Sequence, residues 1–405
     1  MGNQHWNSDD LKNLCSIKTG KIDVNKGNPN GKYLFFTCAR EATKIDFYEF
    51  EGEALLIAGN GYFNVKYYNG KFNAYQRTYV LQNFKINAQF LYYYIAHSLE
   101  YLTRDNRGTT IKYIRLPDLQ NHKVPLPTLN EQQQIVEKLD AILPKVRQLK
   151  ARLEKIPVLL KKFRQSVLSS ACSGMLSDGF IEFDEDDWAS KSGMIKKDLS
   201  ADLFKLPEHW IQATLKELAN GFQYGTSSKS DKTGLVPVLR MGNLQDGEID
   251  WTDLKYTSDT SEISKYALEN GDVLFNRTNS PELVGKTSIY RGERQAIFAG
   301  YLIKIKHKKD ILSSDFLNLC LNSKYGRDWC KQVRTDGVGQ SNINAKVLSE
   351  FVIPLPPIEE QQDIVTRVNN LFALADSLDA KYKQAMQRIE KIEQSVLAKA
   401  FRGGL

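Results

Sequence analysis

One feature constrains this chain more than any other: part of it occurs twice. Residues 125–176 align with residues 354–405 without a gap, at a constant offset of 229. Pro125-Leu126-Pro127 matches Pro354-Leu355-Pro356, and Glu131-Gln132-Gln133 matches Glu360-Gln361-Gln362. Some thirty residues on, Gln165-Ser166-Val167-Leu168 matches Gln394-Ser395-Val396-Leu397. Two blocks held in register over that distance indicate a duplicated structural unit.

Both blocks read as long helices. Apolar residues recur in alternating steps of four and three, through Ile135, Leu139, Leu149, Leu153 and Leu160 in the first copy. In the second they include Ile364, Val368, Leu371, Leu378 and Ile389. Such an a/d seam indicates helix–helix packing, and the simplest arrangement pairs the two copies antiparallel. Pro144 and Pro157 are expected to bend the first helix, because each removes a backbone donor. Ala373 and Met386 stand in the second copy, which should be straighter.

The segments before the helices echo each other more faintly. His5-Trp6, Leu11-Lys12 and Leu14 match His209-Trp210, Leu215-Lys216 and Leu218. Gly52-Glu53-Ala54-Leu55-Leu56 resembles Gly271-Asp272-Val273-Leu274-Phe275, and Ile114 and Leu119 match Ile343 and Leu348. Short β-rich runs such as Tyr33–Phe36, Ala54–Ala58 and Leu302–Lys306 alternate with turn signals at Asn69-Gly70 and Asp246-Gly247. One helix per copy fits Ala88–Tyr101 and Ser314–Gln332. The chain therefore reads as an α+β protein: a mixed α/β domain over 1–124, a long helix over 125–173, an acidic linker over 174–205, a second domain over 206–353 and a second long helix over 354–405. The whole is expected to form a pseudo-two-fold internal repeat, its two domains separated by the helices in an antiparallel coiled coil.

The net charge of +7 is unevenly spread. Residues 1–124 and 125–173 carry +5 each, and the linker carries −4. A basic surface suits a polyanion. No run of about 18 apolar residues suggests a membrane span, and the polar start holds no signal-peptide core. A cytoplasmic location is expected, with five scattered cysteines kept as reduced thiols.

Asn279-Ser280-Pro281 is not the [N/D]PP[Y/F] loop of a methyltransferase, and Gly285-Lys286-Thr287 lacks the leading glycine of a P-loop, position 280 being serine. The five histidines form no H-x-x-x-H pair, and no cysteines form a CxxC, so no metal site is expected. His5 and His209, at matched domain starts, favour a packing role.

The helix entrances "PLPxLxEQQxIV" and exits "QSVLxxAxxG", in the order domain–helix–domain–helix, resemble the specificity subunits of type I restriction-modification systems. So do "LPEHW", "YGTSSKS", "VPVLRMGNLQDGEID", "NGDVLFNRTNS" and "GQSNI" in the second domain. The first domain departs more: it has no Leu-Pro before His5-Trp6, and Thr110 to Ile114 replaces "GQSNI". The resemblance implies a non-catalytic, sequence-specific DNA-binding subunit reading a bipartite double-stranded site, one target-recognition domain per half. It implies helices that dock two methyltransferase subunits and, through them, restriction subunits. S-adenosylmethionine is then expected on the methyltransferase partners and no cofactor on this chain. Family members often continue beyond the position of Leu405, so further docking surface is expected there. The alternative is a stand-alone coiled-coil DNA-binding regulator that needs no methyltransferase.

Bases are read by polar side chains, and phosphates are held by Lys, Arg and small donors. Arg suits guanine, and Asn or Gln suits adenine. The DNA-binding candidates in the first domain are Lys21, Arg40, Asn60, Gln76 and Arg77. In the second they are Ser227, Ser228, Lys229, Ser230, Arg240, Asn243, Arg277, Asn279, Gln340, Ser341 and Asn342, on polar turns within the quoted motifs.

Overall fold

The computed structural model describes residues 6–103, 113–177 and 206–404. His5, most of the acidic linker and Thr110 to Lys112 lie outside the described residues. The chain divides into two compact units, residues 1–155 with 382–405, and residues 156–381. Each unit thus combines one mixed domain with portions of both long helices.

In the first unit six strands lie side by side in the order Ser16–Thr19, Thr78–Gln82, Phe50–Ala58, Val65–Ala74, Tyr33–Phe36, Thr43–Ile45. Neighbours run antiparallel except Val65–Ala74 and Tyr33–Phe36, which are parallel. The Ala54–Ala58 half of strand Phe50–Ala58 is apolar on both faces because both are covered there. Leu55 and Ile57 join Leu91 and Ile95 of helix Ala88–Thr103, while Ala54 and Leu56 pack with Phe36 and Phe72 opposite. The expected turn at Asn69-Gly70 is overturned: both residues lie within strand Val65–Ala74, where Gly70 faces Gly52 across the ladder. Residues 59–64 make the connection instead, with Gly61 at φ +70. Pairing along a long strand outweighs a local turn preference.

The second unit builds the corresponding sheet in two parts. Strands Ala219–Tyr224, Leu302–His307, Asp272–Asn276 and Thr287–Tyr290 form one, and Lys255–Thr257, Val236–Leu239 and Ile297–Phe298 form the other. Residues 291–296 interrupt what in the first unit is the continuous strand Val65–Ala74. Asp246 and Gly247, at φ +51 and +87, close the expected hairpin between Leu244–Gln245 and Glu248–Ile249. The single helix expected over Ser314–Gln332 is two, Ser314–Asn322 and Lys324–Val333. Ser323 separates them, and its side chain accepts from Gly326 N to cap the second.

The echo between Leu55-Leu56 and Leu274-Phe275 is one residue out of register. Leu55 pairs with Leu81, Val273 with Ile305, and Leu55 and Val273 both face the helix side of their sheets. Val273 is therefore the counterpart of Leu55. In a strand buried on both faces every position is apolar, so identity alone does not fix the register.

The first long helix starts at a capping box, Thr128 with Glu131, and runs over Leu129–Leu153 with Pro144 inside it. It breaks at Glu154–Lys155, just ahead of Pro157, which has no N–H to offer Leu153 O and so cannot continue the first helix. Pro157 is the second residue of the next helix, Ile156–Cys172, where a missing N–H leaves no hydrogen bond broken. The second long helix is continuous over Ile358–Ala400.

Within the first unit, Ile135, Val136, Leu139 and Leu143 pack with Phe90, Tyr93 and Ala400. Arg147 pairs with Glu393 and Lys150 with Glu390, each at 3.7 Å. Within the second unit, Val167, Ala171 and Cys172 share a core with Trp210, Phe316, Ile364 and Val368, and Arg164 pairs with Asp376 at 2.5 Å. The exit motif of each helix therefore packs in the unit that holds the other copy's domain. Of the seam residues, Ile135, Leu139, Ile364, Val368 and Ile389 are buried, while Leu153, Leu160 and Leu371 are half-buried. Leu149 and Leu378 stay 53 % and 44 % exposed, which corrects their reading as buried seam residues. The fully buried positions at the ends lie in cores shared with a domain.

The Glu-Gln-Gln entrances have a physical role. Gln132, 2 % exposed, accepts from Asn87 N at 2.8 Å and donates to Pro127 O at 2.9 Å. Gln361, fully buried, accepts from Ser313 N at 2.8 Å and donates to Pro356 O and Ile311 O at 2.9 and 2.8 Å. Each glutamine clamps the start of its domain's helix to the start of a long helix, satisfying otherwise orphan backbone groups. Beside the second clamp, the buried Glu360 carboxylate accepts from Trp210 Nε1 at 3.0 Å and lies 2.7 Å from His209 Nε2. This places His209 in packing.

Candidate nucleic-acid interface

In the first domain the turns at the strand ends converge through backbone hydrogen bonds. Gln76 N donates to Ile22 O at 3.0 Å, beside Lys21. Gly59 N donates to Arg77 O at 2.8 Å, beside Asn60, and the Cys38 thiol reaches the same carbonyl, two residues before Arg40. The five residues anticipated from the sequence thus lie on one loop cluster. Arg40, Gln76 and Arg77 are exposed, and Asn60 is half-buried, bridging to Tyr113. Lys21 is exposed and bonded to Glu49 at 2.8 Å, which holds its amine above the usual lysine range.

Sequence reasoning missed Lys66. Its amine donates to Ala39 O at 2.9 Å and to the Asn64 side chain within this cluster, and partial burial pushes its pKa down. The signal was a basic residue set among aromatics, Tyr62 to Tyr68.

The second domain converges in the same manner. Gly300 N donates to Thr226 O at 2.7 Å, which brings the Ser227–Ser230 turn to residues 299–301. Ala299 N donates to Leu239 O at 2.9 Å, beside Arg240. Arg277 N donates to Tyr301 O at 3.0 Å, and Ile343 N donates to Arg277 O at 2.9 Å. Strand Thr278–Asn279 pairs with Ser341–Asn342, so Arg277, Asn279, Gln340 and Asn342 meet there.

Ser227, Ser228, Lys229 and Gln340 are exposed; Ser230, Asn279 and Asn342 are half-buried. Arg240 is engaged with Asp253 at 3.1 Å. Two residues leave the candidate set. Asn243 is 2 % exposed, with its side chain spent on Arg240 N, Asp250 O and Asp253 O, all at 2.9 Å. Ser341 is 1 % exposed and donates to Asp336, a bond that holds the Asp336 carboxyl below the usual range. Both fix turns and offer no free polar face.

The side chain of Arg277 is poised without being saturated. Its guanidinium lies 4.9 Å from the Tyr224 ring centroid, and its two protein hydrogen bonds are long, 3.3 Å to Gly300 O and 3.4 Å to Asn342 Oδ1. Its Nε is buried with no partner among the described residues. A guanidinium has five donors and usually bonds near 2.9 Å, so most of its capacity is unspent. Tyr224 was missed although it opens the quoted "YGTSSKS" motif; pattern alone does not show which cation an aromatic faces.

Residues 3–158 and 207–388 match the family model described as type I restriction modification DNA specificity domain. The chain belongs to that family. It is 34 % identical to the EcoDI specificity subunit of Escherichia coli, over 99 % of this chain and 88 % of that one. To the EcoBI specificity subunit it is 33 % identical, over 80 % and 67 % respectively. Two solved structures share the fold. One, from work on complex assembly and conformational transition of a type I R-M system, superposes with a TM-score of 0.71 at 19 % identity over 99 % of both chains. The HsdS subunit of Thermoanaerobacter tengcongensis gives 0.57 at 19 %, over 99 % and 98 %. As a member of this family the chain is a DNA-specificity subunit of a type I restriction-modification system, not a catalytic one. That membership favours this reading over a stand-alone regulator.

Proposed function

We propose that each domain reads one half of a split double-stranded DNA site through its loop cluster, and that the two long helices act as spacer and docking surface. The observation that carries this reading is the recurrence of one loop cluster, bearing exposed or unsaturated basic and amide groups, in each of two duplicated domains. Direct readout requires such groups on a scaffold that fixes their geometry.

The helices pair as an antiparallel coiled coil with pseudo-two-fold symmetry. Arg147–Glu393 and Lys150–Glu390 in one unit support this, because the partner number falls as the helix number rises, and Arg164–Asp376 in the other continues the same trend. Two methyltransferase subunits dock on the helices, restriction subunits join through them, and S-adenosylmethionine binds the methyltransferase. The complex acts in the cytoplasm. No helix among the described residues is long and apolar enough to cross a membrane.

The test is co-expression with the methyltransferase subunit of the same system. The two should co-purify and methylate a bipartite motif that neither modifies alone. Binding of the pure chain to its site with full specificity, and no association with the methyltransferase, would favour the stand-alone regulator.

A further inference from the structure

The two loop clusters share one backbone plan. Gly20 N to Thr78 O, Gln76 N to Ile22 O, and Tyr75 N to Phe36 O recur as Gly225 N to Leu302 O, Gly300 N to Thr226 O, and Ala299 N to Leu239 O. Gly59 N to Arg77 O and Ile114 N to Gly59 O recur as Arg277 N to Tyr301 O and Ile343 N to Arg277 O. The position held by Arg277 in the second domain is therefore held by Gly59 in the first. The position held by Tyr301 in the second is held by Arg77 in the first. Each scaffold carries one arginine at this bonded pair of positions, on opposite members of the pair.

Packing explains the exchange. A Cβ on Gly59 would lie 2.6 Å from Arg77 O, so the first domain's turn closes too tightly on this strand end for a side chain there. The arginine is carried by the turn itself, exposed and without a side-chain partner among the described residues. In the second domain the strand end accepts Arg277, steadied by the Tyr224 ring, and the turn carries the half-exposed Tyr301.

We propose that Arg77 and Arg277 are the guanine-reading residues of the two half-sites, presented from exchanged positions of one shared scaffold, with Tyr224 as a positioning residue for Arg277. The inference rests on the reading of the chain as a DNA-specificity subunit. A guanidinium fork with unspent donors matches the paired acceptors O6 and N7 of guanine. Because the two arginines leave the backbone from different places, they address different base steps relative to the shared scaffold.

The experiment is methylome sequencing of cells carrying the full chain with its methyltransferase subunits. The wild-type motif should contain a guanine in each half. Arg277→Ala should lower the preference for that guanine in one half on the order of 10- to 100-fold and leave the other half unchanged. Arg77→Ala should do the reverse. Tyr224→Ala should relax the same position as Arg277→Ala, and Tyr224→Phe, which keeps the ring, should restore it. If Arg277→Ala abolishes methylation, Arg277→Lys decides: it keeps the charge and loses the fork, so reduced guanine preference supports the proposal and unchanged preference overturns it. A wild-type motif lacking guanine in either half, or variants that retain every base, also overturn it while leaving the specificity-subunit reading intact. Absence of any bipartite methylation by the wild-type complex would instead remove that reading, and the proposal with it.

Discussion

Replacing Gln361 by alanine tests whether the Glu-Gln-Gln entrance is a structural clamp. The side chain is fully buried and makes three hydrogen bonds, at 2.8, 2.8 and 2.9 Å. Each such bond contributes about 1 kcal/mol net, and a buried group left unpaired costs about 1–3 kcal/mol. Ser313 N, Ile311 O and Pro356 O lose their partner together, so the expected loss is about 3–5 kcal/mol. In a unit of this size that lowers the melting temperature by roughly 10 °C. Gln132→Ala breaks two bonds in the first unit and should cost less, about 2–4 kcal/mol. Gln361→Glu keeps the shape but turns a carboxylate toward two carbonyl oxygens, and should be no better than alanine. Calorimetry and urea unfolding of the full chain provide the measurement. A loss below about 1 kcal/mol for Gln361→Ala, or a larger loss for Gln132→Ala, would refute the clamp argument.

Leu139→Asp, at a fully buried position, should cost about 3–5 kcal/mol, whereas Leu149→Asp, half exposed, should cost less than about 1.5 kcal/mol; thermal melts of the two variants decide. Burial pushes His122 down to about 4, below its unfolded value of 6.5, so the unfolded chain gains a proton that the folded chain refuses. Stability of the first unit should hold above pH 6.5 and fall by about 3 kcal/mol as pH drops to 4, and His122→Gln should flatten that slope in urea titrations. A four-residue insertion in the 137–162 region adds about 6 Å. If the helices act as a ruler, methylome sequencing should show at most roughly two extra base pairs between half-sites, with the bases read unchanged. Exchanging residues 1–124 for a relative's first domain should change one half-site and keep the spacer.

The architecture was legible because repetition and period survive in the text of the chain. The Pro-Leu-Pro and Gln-Ser-Val-Leu blocks located both helices, and the four-three spacing gave their apolar stripe. What failed depended on tertiary context. Asn69-Gly70 carries a strong turn signal, yet pairing along Val65–Ala74 absorbs it. Pro144 is accommodated inside the helix, while the break falls at Glu154–Lys155, just ahead of Pro157, where the sequence placed a bend. Leu149 and Leu378 obey the heptad period as well as Leu139 does. Period shows which side of a helix is apolar, and does not show whether a domain lies over it.

The candidate site was legible in its location and not in its wiring. Polar turns in the right motifs marked both loop clusters, but Asn243 and Ser341 have the same residue types as the exposed candidates and differ only in being spent on neighbouring backbone and carboxylate groups. Nor could alignment find the exchange between Gly59 and Arg277, because side-chain identity is what changes there. The repeated quantity is the hydrogen bond from the strand end to the turn, Gly59 N to Arg77 O and Arg277 N to Tyr301 O. A backbone bond constrains where a side chain starts and leaves its chemistry free. That separation lets the buried clamp at each helix entrance stay fixed while the loops differ between the two domains. The buried glutamines at 132 and 361 are identical and share two equivalent bonds, to the start of the domain helix and to the proline carbonyl before the long helix, whereas the paired loop positions hold Gly against Arg and Arg against Tyr. Duplication thus preserved the residues that clamp each domain to its helix and released those at the loop positions.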